Sequence, residues 1–351
     1  ASVDLALVER IEIIRGPGSS IYGANAFLGV VNVVTKRGAD IGYQAAAEYE
    51  SGGGARGRLS YGAAYGNGLE VALSVSALGD PGEEELYYAA YDDPATNDGI
   101  ASDTDAERDL DLFLKLGWRG FTFESVWSER TKEAPTGIYF SAFNDPRNET
   151  EDRRFFAQLG WKGAVGADTE FAAKAYYDEY HYTGTFAYDY PPLTENVDVG
   201  DGAWWGADAH AVHRRGAHTL TAGAEFVKGV RAGMENHDTD PYAQYIEQDS
   251  PSDQWAVFAQ DEIRLHESLR LTLGTRYDHY ETFGGTVNPR AGLVWKPAAT
   301  TSVKLLYGEA FRAPNTFERD WYLEGAYKGN PDLGPEKIRT YEAVLEQGLG
   351  K

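Results

Sequence analysis

Two apolar runs with a glycine cluster between them, all within Val8 to Lys36, constrain this chain more than any other feature. Val8, Ile11, Ile13 and Ile14, then Val30, Val31, Val33 and Val34, give the continuous β-branched texture of strands buried on both faces. Between them Gly16, Pro17, Gly18, Gly23 and Gly29 mark where the backbone turns or is closely approached. Gly18 and Gly23 have the spacing of a phosphate-binding loop. Ala24 and Asn25, however, stand where that loop needs its Lys and its Ser or Thr, so nucleotide binding is excluded.

From Ile41 onward the hydrophobic period becomes two. Leu110, Leu112, Leu114 and Leu116 alternate with Asp109, Asp111 and Lys115, and Leu269 to Tyr277 and His218 to Phe226 repeat the pattern. Such alternation puts one face of each strand in an apolar medium and the other in a polar one. Short turns, as at Asn67-Gly68, Arg119-Gly120 and Glu267-Ser268, alternate with long connections near 81–107, 133–151, 183–200, 232–252 and 311–336. Short turns on one rim and long loops on the other are the layout of an outer-membrane barrel rather than a soluble sandwich. The pattern predicts about 14 antiparallel strands, roughly 41–50, 57–66, 68–80, 108–118, 120–132, 152–162, 168–182, 201–214, 217–231, 253–266, 268–283, 287–297, 301–310 and 337–347. Trp118, Trp127, Trp161, Tyr177, Trp204, Trp205, Tyr277 and Trp295 fall near strand ends and are expected to form interfacial girdles. No apolar run is long enough for a transmembrane helix, a limit that does not apply to strands. The fold class is therefore all-β, a membrane β-barrel.

The residues that punctuate these patterns carry a family resemblance. Val8 to Gly23 (V-E-R-I-E-I-I-R-G-P-G-S-S-I-Y-G) and Gly29 to Lys36 (G-V-V-N-V-V-T-K) resemble the second half of the plug domain of TonB-dependent outer-membrane receptors. Gly16, Pro17, Tyr22, Gly23 and Asn32 are the plug-motif positions met here. Phe258 to Asp261, Leu273 to Asp278, Asn288 to Leu293, Tyr307 to Pro314, Gly329 to Glu336 and Thr340 to Glu342 resemble the family's barrel motifs. The resemblance implies residues 1–40 as the C-terminal half of a small α/β plug domain and 41–351 as the N-terminal part of a transmembrane barrel of about 22 strands. On that reading the chain is a partial one, lacking the start of the plug and the last barrel strands. It also implies that Arg15 pairs with barrel-wall glutamates, one of which matches Glu342, and alternation with Tyr341, Ala343 and Leu345 likewise turns Glu342 to the lumen.

Further expectations concern activity and partners. The resemblance implies active uptake of a ferric siderophore, with cobalamin or a carbohydrate as alternative cargo and a passive porin as the reading from another class. Its implied partners are a small metal chelate as ligand, outer-membrane lipid, and the TonB–ExbB–ExbD energy-coupling complex, reached through an N-terminal box absent here. The net charge of −23 argues against nucleic acid. No catalytic residue is expected: there is no nucleophile elbow or zinc-protease motif, and His210 and His213 point to opposite faces of a strand. No cofactor or metal is expected either. Asp80 to Asp109 holds 11 carboxylates and one Arg, yet Asp103 to Arg108 lacks the glycine that an EF-type calcium loop needs, so a solvated acidic loop is the expected state. Ligand contacts are expected from loop aromatics: Tyr87, Tyr88 and Tyr91; Tyr139, Phe140 and Phe143; Tyr188 and Tyr190; and Trp321 and Tyr322.

Overall fold

The computed structural model describes residues 4–15, 23–24, 26–190, 192–323 and 327–349, with the side chain of Arg15 outside that description. The N-terminal segment is a hairpin of β1 (Val8–Arg15) and β2 (Gly29–Thr35), with Val8 opposite Thr35 and Arg15 opposite Gly29. Its strands are not buried on both faces: Ile13 is 69% and Val31 66% exposed. A two-stranded ribbon has no flanking strand or helix to cover its faces.

Most of the remaining described residues build one antiparallel sheet. It starts with β3 (Tyr43–Tyr49), β4 (Ala55–Ala64) and β5 (Leu69–Asp80). A loop bearing the small strands β6 (Glu85–Tyr87) and β7 (Ile100–Ser102) leads to β8 (Glu107–Trp118), β9 (Phe121–Glu133) and β10 (Glu149–Ala164). Three long strands follow, β11 (Thr169–Tyr188), β12 (Thr194–Arg215) and β13 (His218–Thr239), the last extended by a hairpin to β14 (Tyr242–Asp249). Then come β15 (Gln254–His266), β16 (Leu269–Tyr280), β17 (Gly284–Ala298) and β18 (Thr301–Arg312). A loop with the tiny hairpin β19 (Tyr322–Leu323) and β20 (Tyr327–Lys328) precedes β21 (Glu336–Gln347). Of the 15 strands in the large sheet all but β14 lie on one path in chain order, from β3 at one edge to β21 at the other. Those 14 are the strands that alternation predicts, and among the described residues the sheet does not close on itself.

Physical reasons for this sheet are local. Arg119 and Gly120 both take positive φ, +49° and +87°, the two-residue turn whose twist suits a tight hairpin. The faces are inverted relative to a soluble protein. Leu73, Val75, Leu112, Leu273 and Leu305 are exposed on the outer face, while Ser60, Ser76 and Ser128 are buried on the inner one. Lipid is the medium that makes such an outer face stable. Two aromatic belts frame it. Near the short turns Trp161 lies 6.5 Å from Phe121 and 6.2 Å from Phe171, and Phe155–Tyr177, Trp205–Phe226 and Trp255–Tyr277 pair at 5.4–6.3 Å towards the loops. About 20 Å of strand separates Phe155 from Trp161 at ~3.3 Å per residue. A shallow concavity of about 900 Å³ between Leu59, Leu73, Leu112, Trp127 and Phe155 lies on this apolar outer face.

The structure corrects two further expectations. Residues 183–200 and 232–252 are largely strand, because β11, β12 and β13 run 20–22 residues and keep pairing beyond the upper belt. Beyond lipid neither face must be apolar, so the period-two signal vanishes at Asn196, Asp198, Asn236 and Asp238 while the backbone ladder continues. Trp204 is not in a girdle: Trp205 takes the outer face, and its neighbour Trp204 lines a cavity on the inner one.

Candidate functional site

Among the described residues, the inner face of the wall receives the N-terminal segment through contacts at four places. Leu7, 3% exposed, enters a cluster with Ile41, Ala72, Phe113 and Val126, a burial worth about 1.5–3 kcal/mol for one leucine. Arg58 Nη1 reaches Asp4 Oδ1 at 3.3 Å, and Lys115 Nζ donates to Thr35 Oγ1 at 2.8 Å. The fourth contact is made by Arg276, whose guanidinium lies against Gly23. A Cβ on Gly23 would come within 2.9 Å of Arg276 Nη2, and Gly23 itself has φ +77°.

Arg276 is held in place by its neighbours on the wall. It is 3% exposed, donates from Nε to Asp278 Oδ1 at 2.7 Å and from Nη2 to Glu225 Oε2 at 2.8 Å, and lies over the Phe258 ring at 5.7 Å. Ala256 pairs with both Glu225 and Asp278 in register, and its small side chain lets the guanidinium cross β15. Asn288, opposite Arg276 in register, donates to Asp278 at 3.3 Å and to Thr286 at 3.2 Å. The sequence motifs around Arg276-Tyr277-Asp278 and Asn288-Pro289-Arg290, separated in the chain, are thus one polar network. Glu225, Asp4, Arg58 and Lys115 bear no motif, and only their place on the inner side of alternating strands could have flagged them.

Two neighbouring spaces lie beside this network and share the lining residues Gln254, Tyr280 and Ala313. A crevice of about 190 Å³ is bounded by Gly23, Ala24, Glu225, Arg276, Asp278 and Tyr280. Gln254, Tyr280 and Ala313 also line a second cavity of about 650 Å³ above it, which Tyr180, Trp204, Phe317 and Arg319 enclose. Its roof, residues 313–320, is fixed by Arg312. That guanidinium donates to Glu318 at 2.9 Å and to Glu336 at 2.8 Å, joining the F-R-A-P and P-E motifs across the base of the loop. Arg312 holds both carboxyls below the usual range, and Glu318 also caps the short helix Thr316–Asp320 through Asn315.

The predicted ligand aromatics do not converge on one point. Tyr188 donates to the Tyr139 carbonyl at 3.2 Å and stacks on Tyr190 at 5.5 Å, with Tyr139 edge-on to Phe186. Phe140, 93% exposed, projects to solvent. Tyr88 and Tyr91 pack on Phe143 and tie two loops together, while Tyr87 donates to Asp92. Trp321 stacks on Phe317 in the cavity roof, and Tyr322 is exposed. Of the plug-motif residues, Gly16, Pro17 and Tyr22 lie outside the described residues; Asn32 donates to Glu12 at 2.8 Å. Glu342 is half-buried on β21, next to exposed Tyr341. Among the described residues no three acidic or histidine side chains gather as a metal site. Asp105 of the acidic loop instead pairs with Lys132, and Asp93 caps its own turn.

Beyond the upper belt, Tyr188 is pushed up to about 12 by burial, and burial also lifts the Asp198 carboxyl above its ordinary range despite the Asn236 amide. A carboxyl raised on folding favours the protonated state. Its stabilising contribution is present below the ordinary carboxylate range and is lost as pH rises through the raised value. Asp198→Asn should therefore slow local opening of 194–200 at neutral pH by on the order of a few-fold, with no difference below about pH 3. Amide hydrogen-exchange protection at the two pH values measures this, and faster opening of the variant at neutral pH would contradict it.

Known proteins match this architecture. A family model described as TonB dependent receptor-like, beta-barrel covers residues 87–350. The iron-regulated outer membrane virulence protein of Vibrio cholerae is 25% identical over 362 aligned residues, which take in 99% of this chain and 51% of the relative. The ferric enterobactin receptor of Pseudomonas aeruginosa superposes with a TM-score of 0.72 at 20% identity, covering 99% of this chain and 57% of the receptor. The siderophore receptor PiuA of Acinetobacter baumannii gives 0.71 at 13% identity, covering 97% and 59%. This chain thus spans about half the length of the curated relative.

Proposed function

The chain belongs to the TonB-dependent receptor-like β-barrel family and lies in the bacterial outer membrane, and from that premise we propose that it serves the energy-coupled uptake of a ferric siderophore. The observation that carries this reading is the stacking of parts along the inner face. A cavity of about 650 Å³, within the size range of small-molecule sites, shares Gln254, Tyr280 and Ala313 with the crevice where Arg276 meets Gly23. A ligand that binds better when this contact is rearranged shifts the plug by that difference in affinity. Residues 1–40 act as the plug half and 41–351 as the wall.

The TonB–ExbB–ExbD complex supplies the pull in this proposal. Arg15, at the end of β1, and Glu342, on the inner side of β21, form the coupling pair. A passive porin fits less well, because Leu7, Asp4, Thr35 and Gly23 fill inner-face positions that an open channel would leave to water. The similarity to an iron-regulated protein and to siderophore receptors favours iron chelates over cobalamin or carbohydrate. In a receptor-deleted host under iron limitation, the whole receptor gene should restore growth only when the inner-membrane energy-coupling protein is present. Growth restored without that protein would overturn active transport.

A further inference from the structure

We infer that Arg58 exchanges one carboxylate for another when the N-terminal segment leaves the wall: it bonds Asp4 while the segment is seated and turns to Asp111 once the segment has gone. Asp111 is then a positioning residue for release. The inference rests on the reading of residues 1–40 as a plug half that moves, and it names the wall residues that balance its seated and released states.

Two incomplete groups are the first support. Arg58, on the inner side of β4, holds the segment by one bond, Nη1 to Asp4 Oδ1 at 3.3 Å, and that oxygen also accepts from Ala6 N at 2.8 Å. The two side chains are only 16% and 11% exposed, and Arg58 Nε is buried with no partner among the described residues. Asp111, on the inner side of β8, has its Oδ1 buried and likewise without a partner. A buried polar group left open is costly, more so on a charged side chain. The wall thus keeps an open donor and an open acceptor that complete each other if brought together.

Register places them in one row. Ser76 of β5 lies opposite Arg58 on one side and Asp111 on the other. Ser76 is small and buried, so a longer side chain can cross β5 over it. The span is two strands, about 10 Å at ~4.8 Å each, and Arg276 already bridges two strands to reach Glu225 across β15. Other cations near Asp111 are engaged: Arg130 bonds Glu107, Arg154 bonds Asp178, Lys132 bonds Asp105 and Lys115 donates to Thr35. On β9 the residue opposite Asp111 is the uncharged Ser128.

The exchange has a physical consequence. On release Asp4 carries its charge into water, whereas Arg58 stays in the wall. A guanidinium left there uncompensated opposes release. Pairing with Asp111 removes that opposition, and the two pairings give the wall two discrete arrangements.

Hydrogen exchange in the whole receptor, held in detergent, tests this. The Leu7 amide donates to Asp4 O at 2.9 Å and the Lys36 amide to Leu7 O at 2.7 Å, so both open when the segment lifts. Asp4→Asn should speed their exchange. Asp111→Asn should slow it by on the order of tenfold, because only the released state loses a partner. In an Arg58→Gln background Asp111→Asn should change nothing. Faster exchange in Asp111→Asn would mean that Asp111 only supports the wall, and unchanged exchange would mean that water completes Arg58 after release. Either result overturns the inference, as does a slowing that persists without Arg58. These measurements need neither cargo nor energy coupling, so their failure is distinct from failure of the growth test for uptake.

Discussion

Replacing Arg276 with alanine is expected to destabilise the seated wall and plug by about 3–5 kcal/mol, the largest effect of any single substitution proposed for this molecule. The reason is what remains. Asp278, 2% exposed, and Glu225 would face each other across Ala256 without the guanidinium that now bonds both, at 2.7 and 2.8 Å. An uncompensated buried carboxylate costs far more than the net worth of the pair that held it. Arg276→Lys keeps the charge but not the fork, and should lie between. Removing Asp278 as well, in Arg276→Ala with Asp278→Asn, should recover part of the loss, because the two side chains are coupled. Urea titration of the receptor in detergent, followed by the gel mobility of the folded barrel, measures the series. A loss below about 1 kcal/mol for the single alanine variant would show that water reaches and solvates the two acids.

Gly23→Val should leave the barrel folded and abundant yet cut uptake at least tenfold, a change of about 1.4 kcal/mol or more in the transport step. Two costs act together. At φ +77° a side chain is strained, by roughly 1–2 kcal/mol and most for a β-branched residue. The new Cβ would also lie 2.9 Å from Arg276 Nη2. The end of an arginine usually swings aside at little cost, but this one is bonded to two carboxylates and cannot move without breaking those bonds. Gly23→Ala should show a smaller defect. Chelate uptake, with leakage of a bulky hydrophilic antibiotic as an independent readout of plug seating, checks the expectation. Normal uptake by the valine variant would mean that Gly23 and Arg276 do not bear on transport.

The barrel was legible in the sequence because lipid imposes a rule that every spanning residue obeys. Leu110, Leu112, Leu114 and Leu116 had to alternate with polar partners, and the strands they predict are the strands observed. Where lipid ends the rule ends, which is why the upper halves of β12 and β13 read as loop. The site was less legible for a related reason. Contacts such as Asp4 with Arg58 and Thr35 with Lys115 join residues 54 and 80 positions apart, and no local pattern announces a partner so distant. Arg276, Asp278, Asn288, Arg312 and Glu336 stood inside recognised motifs, but only the sheet register shows that Arg276 faces Asn288 and that Arg312 faces Glu336. Loop position alone marks the expected ligand aromatics in the sequence. Tyr88 and Tyr91 instead hold loops together, whereas Trp204, one residue from the outward-facing Trp205, lines the cavity.

The N-terminal hairpin also has a mechanical character set by its register. Val8 lies opposite Thr35, so the two open ends of β1 and β2 are side by side, and Lys36 N donates back to Leu7 O at 2.7 Å. The end after β2 is anchored in the wall: Ile41 is buried, Gly42 O accepts from Gly62 N at 2.8 Å, and a Cβ on Gly38 would lie 2.0 Å from Val71 O. A tension entering ahead of Val8 and resisted at Gly38 therefore opens the ladder one hydrogen bond at a time, from Lys36–Leu7 inwards, instead of shearing all of them at once. Rupture in that geometry needs little force but a long travel, so the hairpin would peel as a zipper while the wall stays intact.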